Sequence, residues 1–85
     1  MGKVRILLMG GFAELSESEL TLQGHTYAEV VLEVAKLYPQ LKPFLLEGDQ
    51  IGSDLLGFVR GRVVANPHQE LADGDEISLY PPVTW

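Results

Sequence analysis

The stretch Thr26-Tyr27-Ala28-Glu29-Val30-Val31-Leu32-Glu33-Val34-Ala35-Lys36-Leu37-Tyr38-Pro39 decides how the rest of the chain is read. Thr26 puts a side-chain oxygen where the first amides of a helix lack partners, and Glu29, three positions on, supplies the carboxylate of a capping box. Tyr27, Val30, Val31, Val34, Leu37 and Leu41 recur at helical spacing and make one apolar face, while Glu29, Glu33, Lys36 and Gln40 fall on the other. Pro39 carries no amide proton and its ring clashes with the preceding turn, so regular helix is expected to end at about Tyr38. Leu41, Phe44, Leu45 and Leu46 then pack from an irregular or short helical segment.

A helix with one apolar face has to bury it against another layer, and the flanking sequence supplies strands. Upstream, Lys3-Val4-Arg5-Ile6-Leu7-Leu8-Met9 alternates before becoming continuously apolar, Gly10-Gly11 offers a turn, and Leu20-Thr21-Leu22-Gln23 alternates again. A hairpin from Lys3 to about Gln23 follows. Downstream, Glu47 to Gly57 reads as a loop anchored by Ile51 and the Leu55-Leu56 pair, and Gly57 to Val64 as one or two short strands kinked or turned at Gly61. Asn66-Pro67-His68 is a turn, Leu71 plugs inward, and Asp73-Gly74-Asp75 makes a second turn before Glu76-Ile77-Ser78-Leu79-Tyr80. That last segment alternates as a strand with Ile77 and Leu79 buried. Pro81 and Pro82 cannot donate to a ladder, so 81–85 is expected to leave the body as an extended tail. The expected architecture is one α+β domain over 1–85, a mixed sheet packed on one main helix, without internal repeats.

Composition narrows the function. The 85 residues hold 12 acidic against 6 basic side chains, a formal charge of −6, which opposes nucleic-acid and anionic-membrane binding and makes a basic partner the better expectation. No cysteine is present, which removes disulfides, thiolate metal sites and a cysteine nucleophile and fits a reducing, cytoplasmic setting. The apolar run Ile6 to Met9 is too short for a signal-peptide core, no stretch approaches a membrane span, and Asn66 is followed by Pro67, so it is no glycosylation acceptor. His25 and His68 have no second His or Cys at ligand spacing, Gly10-Gly11 has neither a Walker nor a dinucleotide pattern, and Asp73, Asp75 and Glu76 lack the ligand spacing of a calcium loop. Ser53, His68 and Asp54 make a triad only on paper, with no nucleophile elbow around the serine. Neither intrinsic catalysis nor a cofactor or metal is expected.

Three features occur together in order: the capped helix from Thr26 to Leu41, the turn Leu71-Ala72-Asp73-Gly74-Asp75-Glu76, and the exit Pro81-Pro82-Val83. Together they resemble the MoaD/ThiS-like sulfur carriers of the ubiquitin-like β-grasp fold, most closely the small subunit of molybdopterin synthase, over nearly the whole chain. Val59-Arg60-Gly61-Arg62-Val63 sits where that family has a strand, a turn containing Asn-Gly, and another strand, with Arg60 in place of Asn. The resemblance implies two partners, an E1-like adenylating enzyme and a larger molybdopterin synthase-type subunit, reached through the sheet face and the tail. It also implies a terminal Gly-Gly whose carboxylate becomes a thiocarboxylate, since only glycine tolerates the close approach such a tail needs. Here Thr84 and Trp85 follow Val83, with Trp85 where the first glycine would stand. An indole would not pass a glycine-width tunnel, so the tail as written is not expected to donate sulfur. Three explanations follow: the chain was cut before a diglycine, an ancestor lost it, or an unusual partner uses the tail differently. A stand-alone ubiquitin-like interaction module is the alternative function.

The candidate partner-binding residues are Phe58, Tyr80, Pro81, Pro82, Val83, Thr84 and Trp85. Trp85 is read either as an anchor for a partner or as a cover over Pro81 and Pro82, whereas Tyr80 is favoured as local cover. Phe12, Phe58 and Val83 are candidates for a docking face, with core burial favoured for each. Arg60 and Arg62, at strand spacing i and i+2, make a possible basic strip with Lys3 and Arg5; solvated pairing with nearby carboxylates is the favoured reading.

Overall fold

Two segments more than seventy residues apart meet at the middle of one sheet. In the computed structural model, which describes residues 3–12, 18–52, 55–64 and 66–81, strand β1 (Lys3–Leu8) runs parallel to strand β7 (Glu76–Tyr80), with Ile6 beside Ile77 and Leu8 beside Leu79. Strand β2 (Glu19–Gln23) folds back antiparallel on β1, as the hairpin reading expects. Strand β5 (Leu56–Val59) lies antiparallel on the other side of β7 and turns into the short edge strand β6 (Arg62–Val63). The order β2-β1-β7-β5-β6 is the mixed sheet of a β-grasp.

Helix α1 (Tyr27–Leu37) crosses one face of this sheet. Its start follows from the sequence: the Thr26 oxygen accepts from the Glu29 amide at 3.2 Å, and the Thr26 hydroxyl donates to Glu29 Oε1 at 3.4 Å. The carboxylate thus returns to the hydroxyl rather than to the Thr26 amide, and that residue bridges to Glu70 instead. Tyr27, Val30, Val31, Val34 and Ala35 are buried against Val4, Ile6, Leu8, Val59, Ile77 and Leu79. Each fully buried aliphatic side chain contributes roughly 1.5–3 kcal/mol, so this layer carries most of the favourable free energy of the fold. The close fit includes Gly57 on β5, where a Cβ would lie 2.0 Å from the Tyr27 hydroxyl.

Pro39 opens a 3₁₀ turn (Pro39–Leu41), which leads into the one-turn helix α2 (Lys42–Leu45). Leu41 and Leu45 are buried, but Leu37, read as core, is 50% exposed, because it is the last residue of the helix and lies at the flank of the buried stripe rather than at its centre. Phe44 is likewise partly exposed. The segment after α2, read as loop, contains a small hairpin of β3 (Leu46–Glu47) and β4 (Gln50–Ile51), turned at Gly48 with φ +64. Ile51 and Leu55 pack on the core as expected; Leu56 does not, being 42% exposed on the sheet's far face. None of the described helices is long and apolar enough to cross a membrane.

Candidate docking face and tail exit

Strand alternation divides the sheet's residues cleanly. Val4, Ile6, Leu8, Gly57, Val59, Ile77 and Leu79 face α1, so Arg5, Leu7, Leu56, Phe58, Glu76, Ser78 and Tyr80 face the opposite way, where no element among the described residues covers them. Strand register then sets neighbours. Leu7, Ser78, Phe58 and Val63 stand side by side across four strands, and Tyr80 lies opposite Leu56 one row nearer the end of β7. The diagonal pair Phe58 and Tyr80 meets edge to face, ring centres 5.5 Å apart at 80°. The result is a patch of Leu7, Leu56, Phe58, Val63 and Tyr80 around the small Ser78, with Val63 57% exposed. Phe58 is therefore half-buried on the open face rather than in the core, Phe12 is fully buried as expected, and Tyr80 covers its neighbour Phe58.

The opposite end of the same face is ionic. Arg5 bonds to Glu19 at 3.0 Å and to Glu76, and these carboxylates raise the already high pKa of its guanidinium through the Glu76 hydrogen bond first. Arg60 and Arg62 do not share a strand face. Val59 pairs with Arg62, which leaves Arg60-Gly61 as a two-residue turn with φ +54 and +79, the primed geometry that suits the twist of a hairpin. A non-glycine residue in this region costs roughly 1–2 kcal/mol, which explains why Asn is easier than Arg there. Arg60 offsets the cost by holding both oxygens of Asp75 at 2.7 Å, and Asp75 also accepts from the Ala72 amide at 2.7 Å. Asp75 is 7% exposed, so the 72–75 turn is fixed by a charged pair. Of the possible basic strip, Arg5 and Arg60 are both engaged with carboxylates, in line with the favoured reading of solvated pairing. No cluster of three metal-ligating side chains occurs among the described residues, where His25 and His68 are exposed.

The chain leaves this sheet at its centre. The Met9 amide donates to the Leu79 carbonyl at 2.9 Å, carrying the β1–β7 pairing to its last residue, and Pro81 then rests against Gly10, where a Cβ would come within 3.2 Å of its ring. Gly10 also has φ +57, so two independent constraints ask for glycine beside the exit. Pro82, Val83, Thr84 and Trp85, with Ser53 and Asp54, lie outside the described residues. Sequence reasoning missed Leu7, Leu56 and Val63 as members of the patch and Asp75 as the partner of Arg60. Register, not composition, brings each of these together, and the sequence does not print it.

The chain matches no family model and no curated protein. Its fold does match solved structures. The small archaeal modifier protein 1 of Methanosarcina acetivorans is 26% identical, with 100% of this chain covering 97% of that one at a TM-score of 0.87. Subunit 1 of a molybdopterin converting factor from Pyrococcus furiosus is 25% identical, with 98% covering 100% at 0.77. A chain in the complex of subunits 1 and 2 of the molybdopterin-converting factor of Helicobacter pylori is 22% identical, with 95% covering 95% at 0.68. The chain has the ubiquitin-like β-grasp fold, and its resemblance to the MoaD/ThiS-like group stands.

Proposed function

We propose that this β-grasp chain is a sulfur-carrier-like protein resembling the small subunit of molybdopterin synthase, a carrier or accessory subunit rather than a catalyst. The observation that carries this reading is the apolar patch, covered by no element among the described residues, beside the point where β7 ends and Pro81 leaves the sheet. A larger catalytic subunit would seat on Leu56, Phe58, Val63 and Tyr80 and receive the tail from Tyr80 to Trp85 in its own site. The existence of a complex between subunits 1 and 2 for a structurally similar chain supports that kind of partner. An E1-like adenylating enzyme would use the same face in turn.

The face suits the task physically. Large rigid aromatic and aliphatic side chains supply contact area at small entropic cost, and the ionic row of Arg5, Glu19 and Glu76 gives the rim a fixed orientation. The alternative is an interaction module that docks through this patch without acyl chemistry. Intact mass of the protein produced from its natural gene, before and after incubation with ATP, a sulfur source and the cell's activating enzymes, separates the two. The carrier reading expects a chain ending in glycine that gains the mass of one oxygen-to-sulfur exchange. A chain that never changes mass would leave only the docking role.

A further inference from the structure

The side of the molecule opposite the docking patch carries a second groove. Ala28, Leu32 and Lys36 form one i, i+4 row along the outer surface of α1, and the β3–β4 hairpin runs beside it with Asp49 at its tip. Between them lies a groove of about 490 Å³ floored by Leu32, Ala35, Pro39 and Leu46 and edged by Lys36 and Lys42. A second hollow of about 450 Å³, lined by Ala28, Leu32, Ile51, Pro67 and His68, continues it past Leu32. Leu32 and Asp49 line both, so the two hollows adjoin along the helix. Leu32 is 37% exposed at a position where the outer face of an amphipathic helix ordinarily carries charge.

Charge decides what fits. The chain is strongly acidic, yet the rim of this groove carries Lys36 and Lys42 against the single carboxylate of Asp49, and neither lysine side chain has an ion-pair or hydrogen-bond partner among the described residues. Arg5 and Arg60, by contrast, are each tied to carboxylates. We infer that the α1 groove is a second docking site, and that its occupant is a protein segment with an apolar anchor flanked by Asp or Glu. The anchor seats on Leu32, Pro39 and Leu46, and the carboxylates meet Lys36 and Lys42. Because α1 covers one face of the sheet and the patch of Phe58 and Tyr80 lies on the other, both sites can be filled at once. The domain would then bridge two proteins, whatever the chemistry of its tail.

The test is selection of a displayed random-peptide library on the whole protein, followed by affinity measurement of the most enriched peptide on variants. The expected peptides carry a large apolar residue with Asp or Glu within two positions. Lys36→Glu combined with Lys42→Glu weakens binding about ten-fold, in line with two exposed ion pairs reversed to repulsion. Leu32→Asp abolishes binding, and Leu56→Asp, on the far face, leaves it unchanged. These side chains are exposed, and equal melting curves confirm that each variant is folded. The inference is overturned if no peptide is enriched, if the enriched peptides lack acidic residues, or if their binding follows Leu56 and ignores Leu32, Lys36 and Lys42.

Discussion

The two faces of one sheet use the same kinds of residue for opposite ends. On β7, Ile77 and Leu79 are wholly buried under α1, while Ser78 and Tyr80, one residue out of step, stand on the open side. On β5, Gly57 is small because Tyr27 occupies its space, while its neighbour Phe58 has room for a large ring on the open face, where Tyr80 meets it edge to face. An apolar side chain on the first face stabilises the fold; on the second, in the proposed docking role, it would offer contact area to a partner. The face a residue occupies, rather than its hydrophobicity, decides what its loss costs.

Truncation on the helix side gives the largest effect. Leu79→Ala removes a fully buried side chain at the β1–β7 seam and is expected to cost about 2–5 kcal/mol in chemical denaturation. A loss below about 1 kcal/mol, within the range of a surface change, would mean that the two faces do not differ as described.

The buried hydroxyl of Tyr27 sharpens the same contrast through pH. Burial pushes its pKa up to about 12 from 10.0, because the phenolate would lose its water. A raised pKa means that stability is complete below pH 10 and falls as pH rises toward 12, by on the order of 2–3 kcal/mol at most. Tyr27→Phe should flatten that decline; a decline of the same size in the variant would assign it to other groups.

Asp75→Ala strips the Ala72 amide and the Arg60 guanidinium of their shared acceptor, and a loss of about 1–3 kcal/mol is expected. Arg60→Asn tests the turn itself: the backbone should relax at φ +54 while the ion pair disappears, so the net change should be smaller than for Asp75→Ala. If Arg60→Asn proves as damaging as Asp75→Ala, the ion pair, which both variants remove, rather than the capped 72–75 turn is the main contributor. The smallest effect belongs to Phe58→Ala, about 1 kcal/mol from the lost edge-to-face pair, read as a small shift in thermal unfolding.

Much of this was legible beforehand, for identifiable reasons. The Thr26 cap, the buried stripe of α1, the Pro39 stop and the alternation of Glu76 to Tyr80 are local patterns, and local geometry reproduced them. Leu37 and Leu56 went astray because periodicity reports a face but not where an element ends or which side of a sheet is covered. The pairing of Arg60 with Asp75 and the gathering of Leu7, Leu56 and Val63 around Phe58 depend on strand register across distant segments, for which no local signal exists. The docking residues from Pro82 onward remain a reading of sequence alone.

The most direct test is complex formation between the whole chain and the proposed partner, a larger molybdopterin synthase-type subunit from the same organism, followed by light scattering for the natural protein and for Leu56→Asp. Leu56 is partly exposed beside the tail exit, so a carboxylate there should abolish the complex while the melting temperature of the free chain stays within a few degrees. A Leu56→Asp chain that still forms the complex, or one that loses it only by unfolding, would contradict the assignment of this face to docking.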